Sequence, residues 1–388
     1  MTTYALIIGK SEIRLWGLTS YERILRQILQ LKDCRFVQEV AEVPAGSSFL
    51  CIRSDYVFET RILKELLRHQ GSILCSHNEA AAGYCESEKA EVMVAALRQN
   101  NGDEFIRIDH KTLASYEDRL RKSESPLCEL VTEKNSKQIE NQLYGRAYKG
   151  ITDLVTKWIW PKPAKLVVRY CSFLEISPNM VTLFGIVLVL VSSYAFYLGD
   201  YWLGLAAGWI MTFLDTVDGK LARVRIQSST IGNILDHGTD IIHPPFWYLF
   251  WALSLPILPM GLSTEIFCWL LFGGYVGGRI AEQAFHALGP CAIFDWRPFD
   301  SYFRLITARR NPCMIILTIS LLFGSPSFGL SVVLVWTLVS TLVLLFRFLQ
   351  GLNSRRHGKL QSWLVDPEVA VVNYPRAFKT FSRTSGAY

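Results

Sequence analysis

The sequence predicts two unlike parts, a soluble α/β domain followed by a membrane domain of six transmembrane helices. Apolar residues make up 50% of the 388 residues and charged residues only 19%, below the roughly 25% that is usual in soluble chains. The charges are also unevenly spread, because several long windows after residue 175 contain none. Before residue 140, short apolar stretches alternate with helix-like stretches. This composition excludes a disordered, collagenous or coiled-coil chain.

Residues 1–140 are predicted to form a cytoplasmic α/β domain. The predicted strands cover 4–8, 35–40, 49–53, 72–75 and 105–108, and the predicted helices cover 20–31, 59–69, 88–99 and 111–121. Such alternation is typical of a parallel sheet with crossover helices. The nine cysteines are scattered singly without a CxxC pair, which argues against a disulfide framework or a zinc knuckle.

Residues 141–175 are predicted to be a linker and an amphipathic helix that lies in the membrane interface. The segment 150–174 combines Trp158, Trp160 and Leu166 with several lysines and arginines, as interfacial helices do. The alternative is an ordinary soluble linker helix, against which the two tryptophans and the following apolar span argue.

Residues 176–352 are predicted to form six spans, at about 178–198, 201–225, 230–256, 263–288, 311–324 and 328–352. A spanning helix needs about 20 apolar residues, and the Gly-Ser-Pro-Ser stretch at 324–327 divides the last uncharged window into two spans. Lysines and arginines lie before the first span, in the 289–310 connection and in the tail, 353–388. This distribution predicts that both termini are cytoplasmic.

Four carboxylates interrupt the second and third spans, where a charge is expensive and therefore points to function. Asp215 and Asp218 are three residues apart on one helix face, and Asp236 and Asp240 are four apart on the next helix. If the two faces lie opposite each other, the carboxylates converge in a cavity near the cytoplasmic side.

Four carboxylates at close range cannot all stay ionised without cations. An all-oxygen ligand set suits Mg²⁺, Mn²⁺ or Ca²⁺, whereas Zn²⁺ normally brings His or Cys. Two metals held by shared carboxylates would form a clamp for phosphate chemistry, and Arg223 supplies a bidentate donor for phosphate oxygens. The alternative is structural pairing with Lys220, Arg223 and Arg225, which would not require small residues between the carboxylates.

This segment resembles the signature of the CDP-alcohol phosphatidyltransferases, D-x2-D-G-x2-A-R-x8-G-x3-D-x3-D. The eight matching positions are Asp215, Asp218, Gly219, Ala222, Arg223, Gly232, Asp236 and Asp240. The stretch SPNMVT at 177–182 is similar to the (S/T)PNxVT element that opens the family's first span. The resemblance covers about 150–352 and implies six spans, usually in a homodimer, with a site open to the cytoplasm and the membrane.

The resemblance also implies a reaction, in which a substituted phosphate moves from a CDP-linked donor to an acceptor hydroxyl and CMP leaves. It implies two divalent metals, Mg²⁺ or Mn²⁺, held by Asp215, Asp218, Asp236 and Asp240. It makes Asp240 the general base on the acceptor hydroxyl. The nucleotide pocket would be lined by Gly219, Ala222, Arg223 and Gly232.

Acceptor binding is expected from three arginines. Arg279 lies inside the fourth span and faces the cavity unless Glu282, three residues on, neutralises it. Arg309 and Arg310 open the fifth span, where they bind phosphate or serve only as topology anchors.

The N-terminal domain faintly resembles the opening of the sugar-phosphate nucleotidyltransferases. Gly9, Arg14 and Leu15 match a strand that leads into a Gly-rich loop ending in Arg-Leu, and 49–55 matches a later strand that ends in a metal-binding Asp. The second loop glycine and a following Pro-Lys pair are missing. We therefore predict a degenerate, catalytically silent domain with a structural, docking or regulatory role.

The leading prediction is a membrane phosphotransferase of phospholipid or related phosphodiester synthesis, acting on CDP-diacylglycerol or a CDP-linked polar alcohol and on a hydroxyl acceptor that can itself be phosphorylated. No nucleic-acid partner is expected. Two alternatives stay open: a bifunctional enzyme whose N-terminal domain makes the CDP-alcohol, and a divalent-cation transporter, since intramembrane carboxylates also mark ion pathways.

Overall fold

The computed structural model describes residues 2–113, 115–228, 230–256 and 258–382, apart from the side chains at 230, 231, 233, 236, 237 and 259. The strands are β1 Thr3–Ile8, β2 Arg14–Leu15, β3 Leu18–Thr19, β4 Cys34–Val37, β5 Ser48–Arg53, β6 Tyr56–Phe58, β7 Ser72–Ser76, β8 Glu79–Glu86, β9 Ile106–Asp109, β10 Tyr116–Glu117, β11 Lys122–Ser123 and β12 Cys128–Leu130. The helices of the N-terminal part are α1 Ser20–Leu29, α2 Thr60–Leu66, α3 Ala90–Gln99 and α4 Ser136–Arg146. The chain divides into two compact units, one of residues 1–117, 123–147 and 223–227, the other of the remaining residues.

The first unit is built on a six-stranded sheet with the order β4-β1-β5-β8-β7-β9. The predicted α/β class is confirmed, but the prediction of a parallel sheet is wrong. β1 is parallel to β4 and β5, and β7 is parallel to β9, whereas β8 is antiparallel to both of its neighbours. The cause is a two-residue turn at His77 and Asn78, where both residues have positive φ, as a tight hairpin requires.

The predicted helix over 111–121 is also wrong. Asp109 accepts a hydrogen bond from the Lys111 amide and starts a single 3₁₀ turn, and β10 then pairs with β11. The guanidinium of Arg61 donates to the carbonyl oxygens of Ser115 and Glu124, both at 2.8 Å. These tertiary hydrogen bonds override the helical preference of the segment.

Residues 223–227 complete the first unit through hydrogen bonds from one face of α1. Arg23 Nη1 donates to Val224 O at 2.5 Å, Arg26 Nη1 to Arg225 O at 2.8 Å, and Gln30 Nε2 to Ile226 O at 3.3 Å. Carbonyl groups at the end of a helix have no partner within it, so these three donors satisfy groups that the local backbone leaves open.

The second unit is helical. Its helices are α5 Pro161–Phe173, α6 Pro178–Leu198, α7 Tyr201–Val224, α8 Thr230–Ser254, α9 Thr264–His286, α10 Pro298–Ile306, α11 Arg310–Leu322, α12 Pro326–Arg355, α13 Pro367–Asn373 and α14 Pro375–Phe381, with the last two residues of α7 counted in the first unit. Ser177 caps α6 by accepting from the Met180 amide, and Pro178 occupies its first turn, where a missing N–H is harmless. The core of the unit includes Trp247 and Trp251.

Helices lie over all six predicted spans, yet six spans are not confirmed. Within the described residues, α6 and α12 are long and apolar enough to cross a membrane, and a third span results if α10 and α11, bent by 43°, count as one. α7 carries four charged residues in its last ten, and α11 has only 13 residues. The charged residues that point to function thus keep α7 from qualifying as a span by composition, and α11 alone is too short to qualify.

The predicted interfacial segment contains a turn of π-helix at Val155–Ile159 followed by α5. Leu166, Tyr170, Phe173 and Leu174 of α5 are exposed, at the spacing of one helix face. An exposed apolar face is what an interfacial helix requires, and the interfacial position of α5 stays a prediction.

Candidate active site

Three of the four signature carboxylates line one cleft of the second unit. α7 contributes Asp215 and Asp218 from one face, and α8 contributes Asp240 from the facing helix. The cleft is narrow, with a volume of about 10 Å³. Its lining residues are Val181, Thr182, Gly185, Ile186, Met211, Asp215, Asp218, Thr239 and Asp240.

The side chain of Arg310, at the start of α11, joins the two helices. Its Nη2 lies 2.7 Å from Asp215 Oδ2, and its Nη1 donates to Asp240 Oδ1. Only 11% of the Arg310 side chain is exposed. The positively charged guanidinium of Arg310 therefore lies between two of the carboxylates that are predicted to bind metal.

Asp218 is held by a side chain from the preceding helix. Thr182 Oγ1 donates to Asp218 Oδ2 at 2.5 Å, while Asp218 Oδ1 is buried without a hydrogen-bond partner. A buried carboxylate oxygen without a partner is costly, and a hard cation would satisfy it. Thr182 is the last residue of the SPNMVT element, but no pattern in the sequence indicates its contact with Asp218.

The donor set fits divalent metal ions, although one of its members is not described. The side chain of Asp236 lies outside the described residues, on the first half of α8. Among the side chains that the structure does describe, no three acidic, His or Cys groups meet closely enough to hold a metal ion. Of the described carboxylates, Asp215 and Asp240 are both in contact with the guanidinium of Arg310.

The four predicted nucleotide-binding residues lie at the ends of the two signature helices. Gly219 and Ala222 follow Asp218 on α7, and Gly232 lies in the first turn of α8. Arg223 belongs to the first unit, where its Nε donates to Ala147 O at 2.8 Å.

Two of the predicted acceptor-binding arginines share one buried carboxylate. Arg279 Nη1 lies 3.0 Å from Glu282 Oε2, and Arg309 Nη2 donates to both Glu282 oxygens. The Nε atoms of Arg279 and Arg309 are buried without a hydrogen-bond partner. The pairing of Arg279 with Glu282 that the sequence allowed is thus present, and a second arginine adds to it.

An apolar groove lies between α8 and α9, next to Asp240. Its volume is about 680 Å³, and the Tyr275 hydroxyl donates to Ile241 O at 3.0 Å beside it. The outer part is apolar and exposed, as at Ile242 and Ile280. The lining residues are Ile241, Ile242, Pro245, Phe246, Phe272, Tyr275, Val276, Arg279, Ile280, Gln283 and Ala284.

His243 packs rather than facing the cleft. Its Nδ1 lies 2.6 Å from Thr239 O, and its ring lies 4.5 Å from the Trp247 ring. The side chain of His237 lies outside the described residues.

Aromatic packing holds the turn between β2 and β3 in the first unit, just after Arg14 and Leu15. Trp16 is buried and stacks on Tyr144, and its backbone N–H and ring Nε1 both donate to Glu140 at 2.9 Å. Asp55, at the position that resembles a metal-binding Asp, is paired with Arg53 at 2.7 Å. The pairing with Arg53 occupies the carboxylate that a metal-dependent nucleotide site would need at Asp55.

The comparison with protein families identifies the segment that contains this cleft. The model of the CDP-alcohol phosphatidyltransferase family matches residues 175–278. Residues 175–278 form a CDP-alcohol phosphatidyltransferase domain. The match spans α6, α7, α8 and most of α9, and so includes every described carboxylate of the cleft.

Relatives of this domain have known and unknown activities. The archaetidylinositol phosphate synthase of Pyrococcus horikoshii is 35% identical over 82 residues, which are 20% of this chain and 42% of that protein. Cholinephosphotransferase 1 of Gallus gallus is 30% identical over 152 residues, 36% of this chain and 42% of that protein. An uncharacterized CDP-alcohol phosphatidyltransferase class-I family protein of Dictyostelium discoideum is 28% identical over 141 residues, 34% of this chain and 36% of that protein.

The chain thus spans 36–42% of the length of these relatives. Together with the family match, they support a phosphotransferase enzyme. They give no support to the transporter, to a bifunctional enzyme or to the nucleotidyltransferase resemblance of the N-terminal domain.

Proposed function

We propose that the chain is an integral membrane transferase that moves a substituted phosphate group from a CDP-linked donor to an acceptor hydroxyl, with release of CMP. The observation that carries the proposal is the convergence of Asp215, Asp218 and Asp240 in one cleft of the family domain. Asp240 lines this cleft and the next residue, Ile241, lines the apolar groove, so a polar reaction centre lies beside a surface suited to hydrocarbon.

Metal ions fit this cleft, and we propose two Mg²⁺ or Mn²⁺ ions held by Asp215, Asp218, Asp236 and Asp240. When bound, they would supply positive charge to the phosphate oxygens of the donor and to the departing CMP. Thr182 orients Asp218 for this role by holding its Oδ2.

In the reaction, an oxygen–phosphorus bond forms between the acceptor hydroxyl and the donor phosphate as the bond to the CMP phosphate breaks. Asp240 accepts the hydroxyl proton as general base, and the electron pair of the broken bond leaves with CMP. Arg223, Gly219, Ala222 and Gly232 would bind the nucleotide, where a guanidinium stabilises phosphate charge and small residues allow close approach.

We propose an anionic acceptor, because positive charge exceeds negative charge beside the cleft. Around Glu282, the two guanidinium groups of Arg279 and Arg309 share a single carboxylate. Buried guanidinium groups recognise phosphate or carboxylate by bidentate hydrogen bonds. The groove between α8 and α9 would hold a hydrocarbon chain of whichever substrate is the lipid.

The membrane arrangement belongs to the same proposal. Six spans, α5 in the interface, both termini in the cytoplasm and a homodimer follow from the charge distribution and the family resemblance. The soluble domain, 1–140, and the tail, 353–388, would then lie on the cytoplasmic side of the cytoplasmic membrane.

The test is CMP release by the purified full chain from CDP-diacylglycerol and other CDP-alcohols, with Mg²⁺ or Mn²⁺ and a panel of acceptors. Asp215→Ala, Asp218→Ala and Asp236→Ala should each abolish release, because each removes a shared metal ligand. Asp240→Asn should still bind nucleotide while turnover falls about 10²–10⁴-fold, the usual loss when a general base is removed.

Asp200→Asn is the matched control, because Asp200 is exposed between α6 and α7, away from the signature. It should keep full activity. Near-normal turnover of Asp215→Ala, or metal flux into liposomes without CMP release from any donor, would contradict the proposal.

A further inference from the structure

Arg310 lies where the proposed function needs metal ions. Its guanidinium contacts Asp215 and Asp240 from opposite helices. Its remaining described contact is a long one, 3.6 Å from Nη1 to Met211 Sδ, and its Nε is buried without a hydrogen-bond partner. The guanidinium is therefore held in place chiefly by the two carboxylates.

The backbone that carries Arg310 is anchored independently of these carboxylates. Asn311 Nδ2 donates to Asp153 Oδ1 at 2.9 Å and to Thr156 Oγ1 at 3.2 Å. On the other side, Arg309 is bound to Glu282. The Arg310 side chain can consequently leave the carboxylates without unwinding the start of α11.

Charge balance decides whether the guanidinium stays. When Asp215 and Asp240 are ionised, they carry two negative charges against the single positive charge of Arg310, so a guanidinium between them is favourable without metal. Two divalent cations would neutralise all four signature carboxylates and repel a neighbouring positive group. Once they bind, Arg310 loses its partners and gains like-charged neighbours.

We propose, resting on the transferase function above, that Arg310 is a built-in counter-ion that divalent cations displace, and that the released guanidinium then binds the anionic group of the acceptor. Metal and acceptor bind in that order. Because linkage is reciprocal, each strengthens the binding of the other by the same factor.

The inference is tested by titrating Mn²⁺ into the purified full chain in detergent. Binding is measured by calorimetry and by the electron paramagnetic resonance signal of free Mn²⁺. Arg310→Gln should bind Mn²⁺ more tightly than the unaltered chain, by a factor in the roughly 5–150-fold range of typical couplings, and should melt at a lower temperature without metal. Arg356→Gln, which changes an exposed arginine just after α12, is the control and should leave the Mn²⁺ affinity unchanged.

A second titration measures the coupling with inorganic sulfate, an anion that binds Mn²⁺ weakly. The unaltered chain should bind sulfate more tightly when Mn²⁺ is present, and Arg310→Gln should show no such gain. If Arg310→Gln does not fold, Arg310→Lys replaces it and should bind Mn²⁺ more tightly than the unaltered chain, because lysine lacks the bidentate fork.

The outcomes separate the two proposals. The inference is overturned if the Arg310 variants bind Mn²⁺ equally or more weakly than the unaltered chain, or if sulfate binding is independent of Mn²⁺. Arg310 would then form permanent structural ion pairs with Asp215 and Asp240. Absence of both Mn²⁺ binding and CMP release in the unaltered chain would instead contradict the transferase function itself.

Discussion

Three consecutive residues at the start of α11 bind three different sets of carboxylates. Arg309 contacts Glu282, Arg310 contacts Asp215 and Asp240, and Asn311 contacts Asp153. Each side chain leaves the helix in a different direction, as the rotation of about 100° per residue dictates. One helical turn thus connects the candidate metal site, the candidate acceptor site and the segment that precedes the first span.

Thr182 offers a test of the site that leaves every signature residue unchanged. In Thr182→Val the hydrogen bond to Asp218 is lost and the buried carboxylate becomes free to rotate. A hydrogen bond to a charged group contributes about 1.5–3 kcal/mol, so we expect CMP release to fall by at least about tenfold and the Mn²⁺ requirement to rise.

Thr182→Ser keeps the hydroxyl and should restore most of the activity and the normal Mn²⁺ requirement. If Thr182→Val and Thr182→Ser are equally active, Thr182 has no part in positioning Asp218.

At this scale the sequence predicted the carboxylates but not their protein partners. The spacing of Asp215 and Asp218, and of Gly232 and Asp240, is a local pattern that a helix converts into a face. The contacts of Arg310 join residues that are 70 and 95 positions apart in the sequence, and a periodic pattern cannot predict contacts between residues so far apart. Arginine is common at the ends of membrane spans for topological reasons, so an arginine at this position does not by itself indicate a contact with carboxylates.

Among the elements, the turn of π-helix at Val155–Ile159 depends on one buried carboxylate. Asp153 accepts hydrogen bonds from the amides of Val155 and Thr156, from the Thr156 hydroxyl and from Asn311. Asp153→Ala would leave these donors buried without partners, at a cost of about 1–3 kcal/mol for an unsatisfied group.

We therefore expect Asp153→Ala to melt several degrees below the unaltered chain in detergent, and Asp153→Asn to fall between them. The control is Asp366→Ala, which removes an exposed cap of the short helix α13 and should change the melting temperature little. A melting temperature of Asp153→Ala equal to that of the unaltered chain would refute the role of Asp153 as an anchor.

The elements that the sequence predicted well are those with strong local patterns. All five predicted strands are present within a few residues, and α6 begins and ends as its Ser-Pro start and Gly199 end indicate. β8 was missed because its sequence, EAAAGYCE, has the composition of a helix. Gly83 of this strand lies beneath Met93 of α3, where a Cβ atom would lie 2.1 Å from Met93 Sδ, a packing relation that only the tertiary structure defines.

For the molecule as a whole, the first unit is expected to make no CDP-alcohol. Trp16, in the turn between β2 and β3, donates to Glu140 and stacks on Tyr144, and Arg53 pairs with Asp55. The full chain incubated with CTP, Mg²⁺ and phosphorylated alcohols should therefore release no pyrophosphate, while the same preparation releases CMP from an added CDP-alcohol.

Pyrophosphate formation in that assay would restore the bifunctional alternative. A preparation without CMP release would not count as a test, so the transfer reaction serves as its internal control.

The division of the chain into units has a consequence for its synthesis. The first unit includes 223–227, whose carbonyl groups bind Arg23, Arg26 and Gln30, yet residues 148–222 separate this short segment from the rest of the unit. A ribosome adds roughly 5–20 residues per second, so these 75 intervening residues (222 − 148 + 1) take about 4–15 seconds to produce. During that interval the face of α1 that carries the two arginines lacks its partners, and the domain that is synthesised first is completed only when residue 227 of 388 has been added.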